Sequence, residues 1–375
     1  MSTKNVIGTN VMRLRTSKRI SQKALAERAQ LSRLGLANIE RGQTLPRAAT
    51  MRVLARALGV STIELATPAR PLHTVRFRAR KRVREREQLL AEVSNWLDDY
   101  SFLEELLEDS PSFQLRSLRP SRQLDPRAVA AKARKTLQFD DQPIYDICGI
   151  LEKCGIKVLH LPRATDAFFG LSVKENDGGP AIVINTWERI SVERWIFSAA
   201  HELGHLLLHP GAYDHRQEEE PEEEEKQADE FASFFLMPHD SFEREWQDSR
   251  GHPLYERVIK VKRIFHVSYK TVLIRLVQME EAPRDVFRTF QVQHRRRFGQ
   301  TLKKVDEPQP LTESKFNEKR GLEPDRLSDA DCLDDRLRRL VRRAIESDEI
   351  SLSRGAEILR IPLMDMRQLA AEWAT

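Results

Sequence analysis

Residues 195–209 read WIFSAAHELGHLLLH. Trp195, Ile196, Ala199, Leu203, Leu206 and Leu207 recur at helical spacing, so the stretch is predicted to be a strongly apolar helix. It carries His201, Glu202 and His205, an HExxH pattern with its two histidines four residues apart. That spacing puts both imidazoles on one face, one turn apart, where a tetrahedral zinc ion (Zn2+) can take both. Glu202 falls beside the metal position rather than on it, placed to take a proton from water as the catalytic general base. Burying two imidazoles and a carboxylate among leucines without a metal would be costly.

Such a site needs a third protein ligand. His209 continues the same helix, and the extended pattern HExxHxxGxxH is excluded because residue 208 is Leu and residue 211 is Gly. The remaining source is a carboxylate from the next helix, EEKQADEFASFFLMP at 224–238. On it Glu225, Ala228, Asp229, Ala232 and Phe235 share a face, and the alanines allow close approach to the HExxH helix. Glu225 is then the third ligand, and Asp229, one turn on, accepts a hydrogen bond from a ligand histidine. Because Glu222 to Glu225 are consecutive, Glu224 stays open as the alternative ligand.

Around this core the chain is 375 residues long, which at ~100–200 residues per domain gives two or three domains. Forty per cent hydrophobic and 32 % charged residues describe a soluble, helix-leaning protein. No apolar run reaches the ~18 residues of a membrane span, and MSTKNVIGTN has no secretion-signal pattern. Cys148, Cys154 and Cys332 are odd in number and lack metal spacing, so they read as reduced thiols of a cytoplasmic protein. Secreted, membrane and disulfide-stapled classes are excluded. The net charge of +5 is unevenly placed: residues 1–67 carry 12 Lys/Arg against 3 Glu, and residues 68–90 carry 8 against 2. A basic end on an acidic body points to a nucleic-acid partner at the N-terminus.

That end contains four or five short helices between Val6 and Leu65. Ser21 caps a first helix and Ser32 a second, which Gly42 stops. ISQKALAERAQLSRLGLANIERGQTLP at 20–46 resembles the Cro/repressor-type (XRE) helix-turn-helix family. The resemblance implies binding to double-stranded DNA. It places Arg19 and Gln22 on phosphates and Arg33, Leu34, Ala37 and Asn38 against base edges, with Ser32 heading the same helix. Leu34 and Gly35 replace the small polar residues usual there; Leu34 can read only a thymine methyl or a partner.

The two acidic and histidine-bearing helices together resemble the ImmA/IrrE-type zinc metallopeptidases. The match runs from Arg194 to His209 and from Glu225 to Pro238, with a wider likeness over 126–280. ILEKCGIKVLHLP reads as that family's helix and first strand, and GPAIVINT as an edge strand before the catalytic helix. FHVSYKTVLIRL reads as its trailing helices. The resemblance implies a zinc endopeptidase that cuts a DNA-binding repressor in a stress or mobile-element response. A substrate segment could then pair with the strand Ala181–Asn185. Tyr213, His215 and His239 are the candidates for stabilising the oxyanion.

The expected architecture is α+β and mostly helical. A helix-turn-helix domain spans 1–67 and a basic linker with a heptad helix 68–122. A thermolysin-like minimal zinc peptidase domain with a small sheet spans 123–290, followed by a linker at 291–330 and a helical domain at 331–375. Within 89–107, Leu89, Val93, Trp96, Tyr100, Leu103 and Leu107 form a heptad stripe. It either pairs with its copy in a homodimer or packs against the next domain. ISLSRGAEILRIPLMDMRQL at 350–369 aligns without gaps on 20–39 as a second helix-turn-helix. Its Asp365 and Glu372 favour docking or regulation over DNA reading. The function read from all this is a DNA-binding regulator with zinc endopeptidase activity on a repressor-like protein or on itself. The alternatives are a transcription factor whose peptidase-like domain is a sensor, and an antitoxin-like regulator.

Overall fold

A computed structural model describes residues 3–18, 20–60, 62–66, 72, 74–79, 86–119, 125–165, 168–211, 221–303, 306–308 and 327–373. The chain divides into two compact units. One comprises Met1–His73, Val83–Asp109 and Leu337–Thr375; the other comprises Thr74–Arg82 and Ser110–Arg336. None of the described helices is long and apolar enough to cross a membrane.

The first unit opens with α1 (Thr3–Ser17), α2 (Gln22–Arg28), α3 (Arg33–Glu40), α4 (Ala48–Leu58) and α5 (Thr62–Ala66). Ser21 accepts from Ala24 N–H and Ser32 from Gly35 N–H, satisfying amides left open at each helix start. Gly59, in the left-handed region, ends α4. Leu25, Leu36, Ile39, Leu54, Leu58 and Leu65 fill the core between these helices.

To this bundle the chain adds α6 (Arg86–Leu106) and, from the far end of the sequence, α15 (Arg336–Glu346), α16 (Leu352–Leu359) and α17 (Leu363–Trp373). Leu89, Val93, Trp96, Tyr100 and Leu103 are at most 3 % exposed within the single chain. Helix α6 packs on α1 and α16, with Asp99 paired to Arg354 at 2.5 Å and Glu92 to Arg360 at 2.9 Å. The heptad stripe is therefore covered by its own chain. Of the two expectations for this stripe, packing within the chain accounts for its burial, here on α1 and α16.

The terminal repeat is legible in the backbone. Ser351 caps α16 as Ser21 caps α2. Arg360 (φ 57°) occupies the left-handed turn of Gln30 (φ 52°). The bond from Ile361 N–H to the Ala356 carbonyl repeats that from Leu31 to Ala26.

The second unit carries a four-stranded sheet in the order β1 (Val75–Ala79), β3 (Phe168–Val173), β4 (Ala181–Ile184), β2 (Lys157–His160). β1 and β3 are antiparallel, β3 and β4 antiparallel, β4 and β2 parallel. Against the sheet lie α8 (Ile147–Lys153) and α9 (Val192–Leu208), and α7 (Pro126–Thr136) and α10 (Glu222–Leu236) pack on α9 and on each other. Then come α11 (His239–Asp248), α12 (Leu254–Phe265), α13 (Tyr269–Gln278) and α14 (Val286–Phe298).

Three expectations change here. The strand expected at an edge, β4, is interior, because β3 and β2 flank it on either side. The basic stretch is not all linker: Val75–Ala79 is a strand that joins the sheet of the second unit. The start of the 291–330 linker is helical, since α14 runs to Phe298 and packs on α12 and α13.

Candidate metal centre and DNA-facing helix

Helix α9 is buried along almost its whole length, with His201, Glu202 and His205 at 0–1 % exposure. Helix α10 crosses it closely because residue 204 is Gly. A Cβ there would meet Phe231 at 3.0 Å and the Ala228 backbone at 3.3 Å. This approach brings Glu225 to the two histidines. Its Oε1 is 3.1 Å from His205 Nε2 and its Oε2 3.7 Å from His201 Nε2, and the two Nε2 atoms are 2.8 Å apart. Glu224, the alternative, is instead turned to the Arg76 guanidinium.

The outer hydrogen bonds set which nitrogens face inward. His201 Nδ1 lies 2.8 Å from Asp229 Oδ1, and a carboxylate can only accept, so the proton sits on Nδ1 and Nε2 presents a lone pair. His205 is oriented by a relay that the sequence does not announce. Its Nδ1 is 3.0 Å from His209 Nδ1, and His209 Nε2 is 2.9 Å from Gln227 Oε1. The amide oxygen takes the His209 Nε2 proton, so His209 Nδ1 accepts from His205 Nδ1–H and His205 Nε2 also faces inward bare. Burial, reinforced by His201, holds His205 well below the usual imidazole range and keeps it neutral. Burial lowers His209 as well.

Two imidazole lone pairs and a carboxylate thus converge with no proton among them. Ligand bonds of ~2.0–2.1 Å give tetrahedral edges of about 3.3 Å, close to the separations found. The donor set fits zinc.

Glu202 stands next to this group under the sheet. Its Oε2 accepts from Ser172 Oγ at 2.8 Å. Gly170, on the same strand β3, leaves it room: a Cβ there would lie 3.0 Å from Glu202 Oε1 and 3.2 Å from the Val183 carbonyl. Arg76 on β1, 3 % exposed, reaches Glu224 and stands 3.8 Å from Glu225 Oε1. β1 thereby completes the sheet along β3, the strand that carries Gly170 and Ser172. Of the oxyanion candidates, Tyr213 and His215 lie outside the described residues. His239 is half exposed and faces Glu243 of its own helix at 3.9 Å.

In the helix-turn-helix, Leu34 is 68 % exposed at the start of α3 and Arg33 is exposed beside it. Asn38 is half-buried and Ser32 is the cap. Ala37 is 6 % exposed, which corrects its placement on base edges: its methyl packs inward. Gln22 donates to Glu40 at 2.8 Å, and Glu40 also binds Arg15, so the Gln22 amide is tied inward rather than held out to phosphate. Arg19 lies outside the described residues.

Two family models match the chain. One, described as an IrrE N-terminal-like domain of the M78 peptidases, covers residues 151–277. The other, described as a helix-turn-helix, covers residues 11–65. An uncharacterized HTH-type transcriptional regulator, y4dJ, of Sinorhizobium fredii is 40 % identical over 68 residues, which is 18 % of this chain and 88 % of that protein. The apo form of the competence regulator ComR from Streptococcus vestibularis aligns over 78 % of this chain and 77 % of its own, with 13 % identity and a TM-score of 0.17. Values that low support no structural argument.

Proposed function

Because the chain belongs to the helix-turn-helix transcriptional regulators and joins to that domain an M78 peptidase-like domain, we propose that it is a DNA-binding regulator with zinc-dependent endopeptidase activity, acting on a repressor-like protein or on itself. The observation that carries this reading is Glu202. A site used only to hold a metal has no need of a carboxylate beside three donors, lodged in the space of a glycine and fixed by Ser172.

His201, His205 and Glu225 would hold the zinc, which supplies Lewis acidity toward a peptide carbonyl and toward water. Asp229 and the His209–Gln227 relay hold both imidazoles aimed at the shared position. Glu202 takes the proton of the attacking water and returns it to the leaving amine, a transfer worth roughly 10²–10⁴ in rate. Ser172 holds Glu202 in place through its Oε2.

Glu202→Gln keeps size and hydrogen bonding but not basicity. We expect it to retain zinc and fold and to lose repressor or self-cleavage by roughly 10²–10⁴-fold. The assay compares proteomes of wild-type and variant cells after DNA damage. Unchanged cleavage would sink the protease reading.

A sensor without proteolysis is the second reading, favoured by β1, which fills the sheet beside Glu202. It predicts that zinc removal alters DNA affinity while Glu202→Gln changes nothing.

A further inference from the structure

We propose that Cys148, His160 and Cys332 form a second metal site, a three-ligand centre that takes zinc. The three come from distant places in the chain. Cys148 lies in the first turn of α8, His160 closes β2, and Cys332 follows the short 3-10 turn Asp329–Asp331. Their donor atoms nevertheless meet: Sγ to Sγ is 3.5 Å, Cys148 Sγ to His160 Nε2 is 3.6 Å, and Cys332 Sγ to His160 Nε2 is 3.9 Å.

Zinc bonds of ~2.3 Å to sulfur and ~2.0–2.1 Å to nitrogen give tetrahedral edges of about 3.8 Å for S–S and about 3.5 Å for S–N. The observed triangle matches without rearrangement. Both cysteines are at most 1 % exposed, and the His160 side chain is 13 % exposed.

The surroundings suit a metal as well. His160 Nδ1 faces Asp334 Oδ1 at 3.4 Å, leaving Nε2 for the sulfurs; a carboxylate behind a ligand histidine is a recurring support of zinc sites. Two thiolates and one imidazole make a soft set that selects zinc over magnesium or calcium. Two thiolates also neutralise a divalent ion, so the loaded site buries no net charge. The site shares no residue with the His201–His205–Glu225 group.

Its place gives it a consequence. Buried Glu152 of α8 accepts the backbone N–H groups of Asp335 and Arg336 at 3.4 and 3.1 Å. The metal and Glu152 together clamp the last segment of the second unit, which ends at Arg336.

The test uses the full chain, purified under reducing conditions, stripped of metal and titrated with Co2+ alone. The His201–His205–Glu225 group has no sulfur, so a thiolate-to-cobalt charge-transfer band in the near ultraviolet reports only the second site. We expect that band in the wild type, its loss in Cys332→Ser, and persistence of the weaker visible bands of the first site. Zinc content should fall from about two ions per chain to about one in Cys332→Ser and in His205→Ala. If circular dichroism shows Cys332→Ser unfolded, His160→Gln replaces it with the same expectation. Absence of the charge-transfer band from the wild type overturns the proposal. So does a Cys148–Cys332 disulfide that, once reduced, takes up no metal. Loss of peptidase activity plays no part in this readout, so the two sites are judged separately.

Discussion

Glu202 sits where it does because the residue facing it on β3 has no side chain. A Cβ at position 170 would press on the Glu202 carboxylate and on the Val183 carbonyl, and a carbonyl in a sheet cannot yield. Gly170→Ala should move the proposed general base without disturbing the donors on α9 and α10. A displacement of about 1 Å costs on the order of 10² in rate, so cleavage should fall by that factor with zinc content unchanged. Turnover and metal content measured on one sample check this. A second residue-scale prediction concerns Lys262, which lies between Glu193 at 2.6 Å and Glu307 at 3.2 Å. Two carboxylates face one buried ammonium. Burial pushes the Glu307 carboxyl up to about 7, against Lys262 and with the help of Glu193. The folded chain thus favours the protonated form more than the unfolded chain does. Stability from this group is full below the ordinary carboxylate range, near 4.5, and is lost as pH rises toward 7. Glu307→Gln should flatten that loss, by about 1–3 kcal/mol between the two ends. Urea midpoints across the window test it, and equal slopes in both proteins would contradict it.

Helices α9 and α10 owe their close crossing to Gly204, Ala228 and the stacked pair Phe231–Phe235. Gly204→Val would gain helix propensity of under ~1 kcal/mol and lose more, about 1–3 kcal/mol, by overpacking. Parting the helices also draws Glu225 from His205, so zinc affinity should fall together with the melting temperature. Calorimetry with and without zinc separates the two effects. These two helices were readable in the sequence because their information is local: four-residue spacing fixes a helix face, and Ala228 and Ala232 announce close contact. The paired helix-turn-helix motifs were readable for the same reason, since Ser21, Ser32 and Ser351 cap the very next turn. Strand pairing is not local. Nothing in VRFRA identifies FFGLSV as its partner, so Arg76 read as part of a basic linker, and Ala181–Ile184 read as an edge. Ser172 and Gly170 were invisible for that reason, and Gln227 because its partner His209 comes from another helix. So was the Cys148–His160–Cys332 triangle, whose members are up to 184 residues apart.

The whole molecule is two units through which the chain passes more than once, and this changes what its charge means. Of the basic residues in the first 90, Arg76 does not face solvent at all but is buried against Glu224 and Glu225. The DNA-facing charge is therefore less than the sequence total. The same strand also bears on the proposed activity. β1 runs antiparallel along β3, the geometry an extended peptide substrate adopts when it adds to a sheet. If the proposed peptidase takes its substrate on this edge, the tethered β1 would compete with it at an effective concentration of millimolar order. On the proposed peptidase reading, a substrate binding in the micromolar range would have to outbid a rival present at that level before its own affinity counted. Asp177 anchors the start of β1 through the Thr74 hydroxyl at 2.9 Å and the Thr74 N–H. Asp177→Ala removes that anchor, worth about 1 kcal/mol, and touches no residue of the metal centre. Peptide cleavage should rise roughly fivefold with DNA affinity unchanged; a rate that stays level or falls would mean that β1 is scaffold and not competitor.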